Sequence, residues 1–278
     1  MTRRSVRALR RVPLPAYALL VIVILYLPLV LVVINAFNKD VLLTHWGGFT
    51  SRWVSQAWNS GRVRHDFLTS GIIAVASAAI SLAIAIPAGL WGRRVSPRAR
   101  RVLDATTYMR IVLPEIVAAL GLLIFFRRLN LPLGTAAVII GHVVFNSAYV
   151  TVIIQARLAT LTTVLEDAAA DLGARPWRVF QRVTFPFLLP AVLVGGMVAF
   201  TFSFDDVITS SFLGGNSVET LPMLIFGLAR FRVDPEVNAI GAGLMVITLT
   251  ALALTLVVAG GRVSGSLLLR TRDGRASG

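Results

Sequence analysis

No cysteine occurs anywhere in the chain, which removes disulfides and cysteine-ligated zinc or iron–sulfur sites. Lysine is almost absent: Lys39 stands alone, between Asn38 and Asp40. A nucleotide-binding P-loop needs Gly-x-x-x-x-Gly-Lys-Ser/Thr, so the chain has no such ATP site. Charge of either sign is scarce. Charged residues make up 14% of the 278, against about 25% in a soluble domain. Hydrophobic residues reach 56%, and the mean hydropathy is +0.78. So few charges cannot cover a water-facing surface, which excludes an ordinary soluble enzyme.

What charge there is leans basic, with 27 Lys+Arg against 13 Asp+Glu and a net charge of +14. A nucleic-acid footprint would gather these residues on one face. Here they sit in short blocks between long uncharged runs, so no nucleic-acid partner is expected. A membrane crossing takes roughly 20 apolar residues. Leu14–Ala36, Phe67–Gly92, Leu129–Ala156, Val183–Phe204 and Val237–Gly261 are each uncharged and long enough. Val102–Phe126 makes a sixth candidate, interrupted by Asp104, Arg110 and Glu115. The first run is too long for a signal-peptide core and lacks an A-x-A-like cleavage site, so it is expected to be retained. Alternate connecting segments hold 18 basic residues and the opposite set eight. Because cytoplasmic loops are enriched in Arg and Lys, both termini are expected in the cytoplasm. The expected layout is a basic N-terminus at 1–13, a six-span membrane domain at 14–261 and a tail at 262–278. Phe37–Asp66, carrying Trp46, Phe49, Trp53 and Trp58, is expected to cap the outer surface, where Trp favours the headgroup level.

Thr163–Pro190 reads TVLEDAAADLGARPWRVFQRVTFPFLLP. Thr163 and Glu166 have capping-box spacing. Ala168, Ala169 and Ala170 favour helix, Gly173 is a helix stop, and Pro176 suits the start of another helix. The expectation is two short cytoplasmic helices within about 158–186, with Pro186 and Pro190 marking the return to the membrane. Taken alone, the stretch fits equally an amphipathic loop lying on lipid.

The spacing Asp167-Ala168-Ala169, three residues, Gly173, nine residues, Val183-x-Phe185-Pro186 resembles the EAA motif of ABC-importer permeases. Asp, Val and Phe replace the family's Glu, Ile and Leu. The resemblance implies the type I ABC-importer permease fold, an all-α membrane protein of six spans with a cytoplasmic coupling-helix loop. It also implies partners: a second permease, an ATPase dimer carrying ATP and Mg, and an external solute-binding protein. This chain would need no cofactor or metal of its own. Glu166, Asp167, Ala168, Ala169, Gly173, Trp177 and Phe180 would form the ATPase-coupling surface. Three further stretches are similar to spermidine/putrescine-type permeases: Phe202–Gly215 (FSFDDVITSSFLGG), Thr220-Leu-Pro222 and Val233–Ala239. Pro114-Glu115 resembles a Pro-Asp pair of that group.

Glu115, Asp205 and Asp206 are the acids in strongly apolar context. An ionisable group at membrane depth is costly unless it faces a cavity or a partner. Bland readings exist: Glu115 could pair with Arg110, and Asp205–Asp206 could meet water at the outer end of span five. The functional reading is a carboxylate lining for a cationic solute, with Phe202, Phe204, Phe145 and Tyr149 as aromatic faces. As neighbours, Asp205 and Asp206 are expected to point apart, with one facing the path. His142 reads as an interhelical hydrogen-bonding group, since no carboxylate or second His stands at metal-ligand spacing. Gly89 and Gly195-Gly196 read as close-packing positions. The expected function is therefore the permease subunit of an importer for a polyamine-like cation. A permease for ferric iron and an autonomous ion-coupled transporter are the alternatives. A membrane enzyme is disfavoured, because no His, Ser or third carboxylate stands in sequence to complete a site around Asp205-Asp206.

Overall fold

The computed structural model describes residues 14–231 and 235–260. The expected N-terminal block, C-terminal tail and the Val233-Asp234 part of one motif lie outside the described residues. Among the described residues the secondary structure is helical, apart from one antiparallel bridge between Asn38 and Phe49. The helices are α1 (Leu14–Asn35), α2 (Arg52–Asn59), α3 (Gly61–Arg94), α4 (Pro97–Val112), α5 (Glu115–Arg128), α6 (Thr135–Leu158), α7 (Thr163–Asp171), α8 (Pro176–Phe204), α9 (Ile208–Leu213), α10 (Leu221–Phe231) and α11 (Pro235–Gly260). Five of them, α1, α3, α6, α8 and α11, are long and apolar enough to cross a membrane. The bent pair α4–α5 makes six if it is one span.

The third span is therefore not the straight helix expected over Val102–Phe126. It turns by 107° between α4 and α5. Pro114 disfavours the helical region for the residue before it, and Leu113 is extended (φ −66°, ψ 125°). The fourth span starts later than expected. Asn130 and Gly134 both take positive φ (52° and 139°), so Leu129–Gly134 forms a turn and the helix begins at Thr135.

Two compact units divide the chain. Among the described residues, the first contains 14–64, 227–231 and 235–245. Its core joins Ala36, Trp53 and Ala239. Trp53 Nε1 donates to the Asn38 carbonyl at 2.9 Å, and Asn38 Nδ2 donates to the His45 carbonyl at 2.8 Å. Phe37 stacks on Phe49. So Trp53 is the buried anchor of the aromatic segment, while Trp46, Phe49 and Trp58 are exposed.

The second unit contains the described residues 65–226 and 246–260. One cluster packs Ala78 and Ala85 of α3 against Val150, Ile154 and Leu158 of α6 and Leu188, Ala191 and Ala199 of α8. A second joins Ile73, Phe126, Val138, Leu213 and Val218. Small residues let the helices approach. A Cβ on Gly141 would meet Leu213 Cδ1 and Thr209 Cγ2 at 2.6 Å, and one on Gly89 would meet Ile154 Cγ2 at 2.7 Å. Gly195 and Gly196 similarly sit against Val150 and Leu82.

Candidate functional site

The end of α8 builds the first site. The helix stops at Phe204, and two carboxylates follow before the short helix α9 begins. Asp206 caps α9: it accepts from the Ser210 amide at 2.8 Å and the Thr209 amide at 3.4 Å. Its Oδ1 also lies 3.1 Å from His142 Nε2. Asp205 turns elsewhere and takes the Thr248 hydroxyl at 3.1 Å. The two side chains point apart as expected, yet both line the same cavity of about 500 Å³. Glu115, Phe145, Tyr149, Thr201 and Phe202 line it as well. The turn after Phe204 thus brings both acids to this cavity, where one was expected to face the path.

Glu115 opens α5 directly after the Pro114 break. It accepts from Thr209 Oγ1 at 3.4 Å and lines the same cavity as Asp206. Arg110 does not close an ion pair with Glu115. Its guanidinium lies 4.6 Å over the Phe145 ring, and its Nε and Nη1 find no hydrogen-bond partner among the described residues. Phe145, Tyr149 and Phe202 form one aromatic wall, with ring centroids 5.0–6.0 Å apart. Phe204 is not part of it. That ring is buried, stacked on Phe200 and edge-on to Phe67, because it leaves α8 on the core side.

His142, Ser203 and Ser77 extend the site inward. Ser77 Oγ donates to Ser203 Oγ at 2.9 Å, Ser203 Oγ lies 2.5 Å from His142 Nδ1, and His142 Nε2 faces Asp206. With Ser203 donating to Nδ1, the Nε2 proton points at Asp206. Sequence reasoning missed this grouping and found no Ser or His to accompany the paired acids. The partners lie 61 and 64 positions apart, and no local spacing reports such a contact. The set has the composition of a Ser-His-Asp triad, but the nitrogens are used the other way round. Ser203 and Ser77 are both buried. The arrangement holds Asp206 in place and offers no exposed nucleophile. Asp66 is another buried acid missed at the outset, 3.1 Å from His65.

The second site lies in the connection from α6 to α8. Gly173 takes φ +80°. The Gly173 amide donates to the Ala170 carbonyl at 2.8 Å and the Ala174 amide to the Ala169 carbonyl at 3.1 Å, the two bonds of a Schellman stop. The expected capping box is absent. Thr162, not Thr163, is the N-cap, with no side-chain bond. Glu166 turns instead to Arg93 (3.2 Å) and to Thr184 Oγ1 (2.7 Å), because a guanidinium and a hydroxyl together outbid one backbone amide. The second short helix is also different from expectation. Pro176 starts a helix that runs on through a π-helical turn, Phe180–Thr184, into the fifth span. Pro186 follows the π segment inside this continuous helix. Asp167, Ala168 and Gly173 are exposed, as are the apolar Val164, Leu165, Leu172 and Trp177. Ala169 and Phe180 are half-buried, and Trp177 stacks on Phe180 at 5.3 Å.

Residues 81–265 match the family described as "Binding-protein-dependent transport system inner membrane component". The spermidine/putrescine transport system permease protein PotC of Haemophilus influenzae is 32% identical over 243 residues, covering 87% of this chain and 95% of that protein. The putrescine transport system permease protein PotI of Escherichia coli K12 is 35% identical over 228 residues, 78% of this chain and 79% of that one. A crystal structure of a bacterial ABC transporter that imports the acidic polysaccharide alginate superposes with a TM-score of 0.62. It covers 93% of this chain and 98% of that one at 15% identity, and so bears on the fold alone. Permeases of this kind have no catalytic activity of their own and work with an ATPase and a binding protein. The chain belongs to the binding-protein-dependent transport system inner membrane component family, as a multi-pass permease subunit of an ABC importer.

Proposed function

We propose that this permease passes a small cationic solute of the polyamine class. The observation that carries the reading is the cavity that gathers Glu115, Asp205 and Asp206 around one aromatic wall. Polyamines carry several ammonium groups on a flexible apolar chain. Carboxylates hold the ammonium groups, and aromatic faces add cation–π attraction of about 0.5–2 kcal/mol each. The relatives named for spermidine and putrescine transport support the same class. Glu115, Asp205, Asp206, Phe202, Phe145 and Tyr149 are the path residues of this reading, and Phe204 is not. The test is uptake of labelled putrescine, spermidine and ferric ion in a strain lacking other importers. Uptake of ferric ion alone would overturn the reading.

The exposed surface of α7 and the start of α8 is the dock for the ATPase in this proposal. Asp167, Ala168, Gly173 and Trp177 offer one carboxylate beside an apolar patch. ATP and Mg belong to the partner ATPase, and a second permease completes the path. Both termini lie in the cytoplasm, on the same side as the dock.

A further inference from the structure

We propose that Arg93 and Glu166 form an ion-pair clamp that transmits movement of the docking helix α7 to the membrane spans. Four elements meet at this pair. Arg93 is on the last turn of α3, and its Nη1 contacts both Glu166 oxygens at 3.2 and 3.4 Å. Its Nη2 reaches the Leu161 carbonyl just beyond α6 at 3.4 Å. Glu166 lies on α7, and it accepts from Thr184 Oγ1 of α8 at 2.7 Å. Glu166 and Arg93 are 14% and 23% exposed, so water screens the pair less than a surface bridge.

The pair has features that a simple staple does not need. Thr184 closes a π-helical turn, a local widening that often marks functional positions. Arg93 also borders a cavity of about 240 Å³, with Gly89, Gly92, Arg100 and Gln155. The side chain thus has room to leave Glu166 when the helices shift. Asp167, the next residue, is exposed and left for the ATPase, so neighbouring acids divide the work: one faces the partner, the other faces the spans.

The inference rests on the docking reading above, and the experiment separates the two. The full transporter, with partner permease, ATPase and binding protein, is reconstituted in lipid vesicles. Spin labels at Leu68 and Ser211 report the outer ends of α3 and α9 before and after ATP and Mg are added. A cysteine at Ala168 reports crosslinking to the ATPase. A half-buried charged hydrogen bond biases a two-state balance by roughly tenfold or more. Glu166→Gln and Arg93→Gln should each lower the ATP-shifted population by about that factor, while the Ala168 crosslink persists. The double exchange R93E/E166R should recover part of the shift, which a loss of folding would not allow. Thr184→Val should give a smaller loss in the same direction. A full ATP-driven shift in both Gln variants, or a double exchange no better than the worse single, would overturn the clamp. Absence of the Ala168 crosslink in the otherwise unaltered chain would sink the docking reading, and the clamp with it.

Discussion

Asp205 and Asp206 are neighbours with different tasks, and the difference is set by hydrogen bonds. Asp206 accepts from two α9 amides and faces His142, so its carboxylate is a structural cap as well as a wall of the cavity. Asp205 has the Thr248 hydroxyl as its contact and otherwise opens to the cavity. Losing a charged contact costs about 1–3 kcal/mol, or roughly 5- to 150-fold in a rate or binding constant. Asp205→Asn should therefore lower polyamine uptake by that order with an unchanged melting temperature. Asp206→Asn should lower uptake and also the melting temperature, since the amide cannot match the charge at the α9 amides. Uptake assays and thermal unfolding in detergent separate the two, and identical melting of both variants would contradict the assignment. Asp40, outside the spans, gives a pH prediction. Burial pulls its carboxyl upward, but Thr44 Oγ1 and the amides of Thr44, His45 and Leu42 outweigh it and hold the pKa below the ordinary value. A depressed pKa means that the bonds stabilise the loop fully above the unfolded value of about 4 and are lost as pH falls through the folded one. Fluorescence of the tryptophans, Trp46 in this loop among them, should respond in that acid window, and Asp40→Asn should remove the response.

Among the elements, glycines decide how closely helices meet, and they are not equivalent. Gly141 of α6 is pressed against Leu213 and Thr209 of α9, whereas Gly71 of α3 faces open space. Gly141→Ala must displace the Leu213 and Thr209 side chains of α9, and overpacking costs about 1–3 kcal/mol. Gly71→Ala should be neutral or stabilising by up to about 1 kcal/mol, because Ala is the better helix former. Thermal unfolding of the two variants checks this, and equal melting temperatures would refute the packing account. Such contacts mark the boundary of what a sequence can say. The apolar runs that became α1, α3, α6, α8 and α11 were legible because bilayer thickness fixes their length. The Schellman stop at Gly173 was legible because a helix followed by Gly signals it locally. The turn at Pro114 had its local cue, but the 107° bend depends on what α5 packs against. The capping box at Thr163 failed because Glu166 met Arg93, 73 positions away, and nothing near Thr163 announces that. For the same reason the three acids were legible as anomalies in apolar context, while their gathering with His142 and Ser203 was not.

At the scale of the whole molecule, charge distribution governs how the chain lies in the membrane. The basic residues of alternate connections, such as Arg93 to Arg101 and Arg175 to Arg182, favour the cytoplasmic side. The opposite connections carry eight in all, among them Arg62 and Arg64 before the second span and Arg127 and Arg128 after the third. The bent pair α4–α5 is the weak point of this layout. If it spans the bilayer, the connections on either side of it lie on opposite faces. If it dips in and returns, they lie on the same face, and every later span is inverted. The 18-to-8 division holds only for the first arrangement. Reporter fusions decide it. A fusion after Arg98 should be cytoplasmic, one after Leu133 external, and one after Arg178 cytoplasmic, with Asn216 external again. The docking surface at Asp167 requires the Arg178 result, because the ATPase has no access from outside. An external reporter at Arg178 with a cytoplasmic one at Leu133 would make α4–α5 a re-entrant loop, and would remove both the six-span topology and the proposed dock at once.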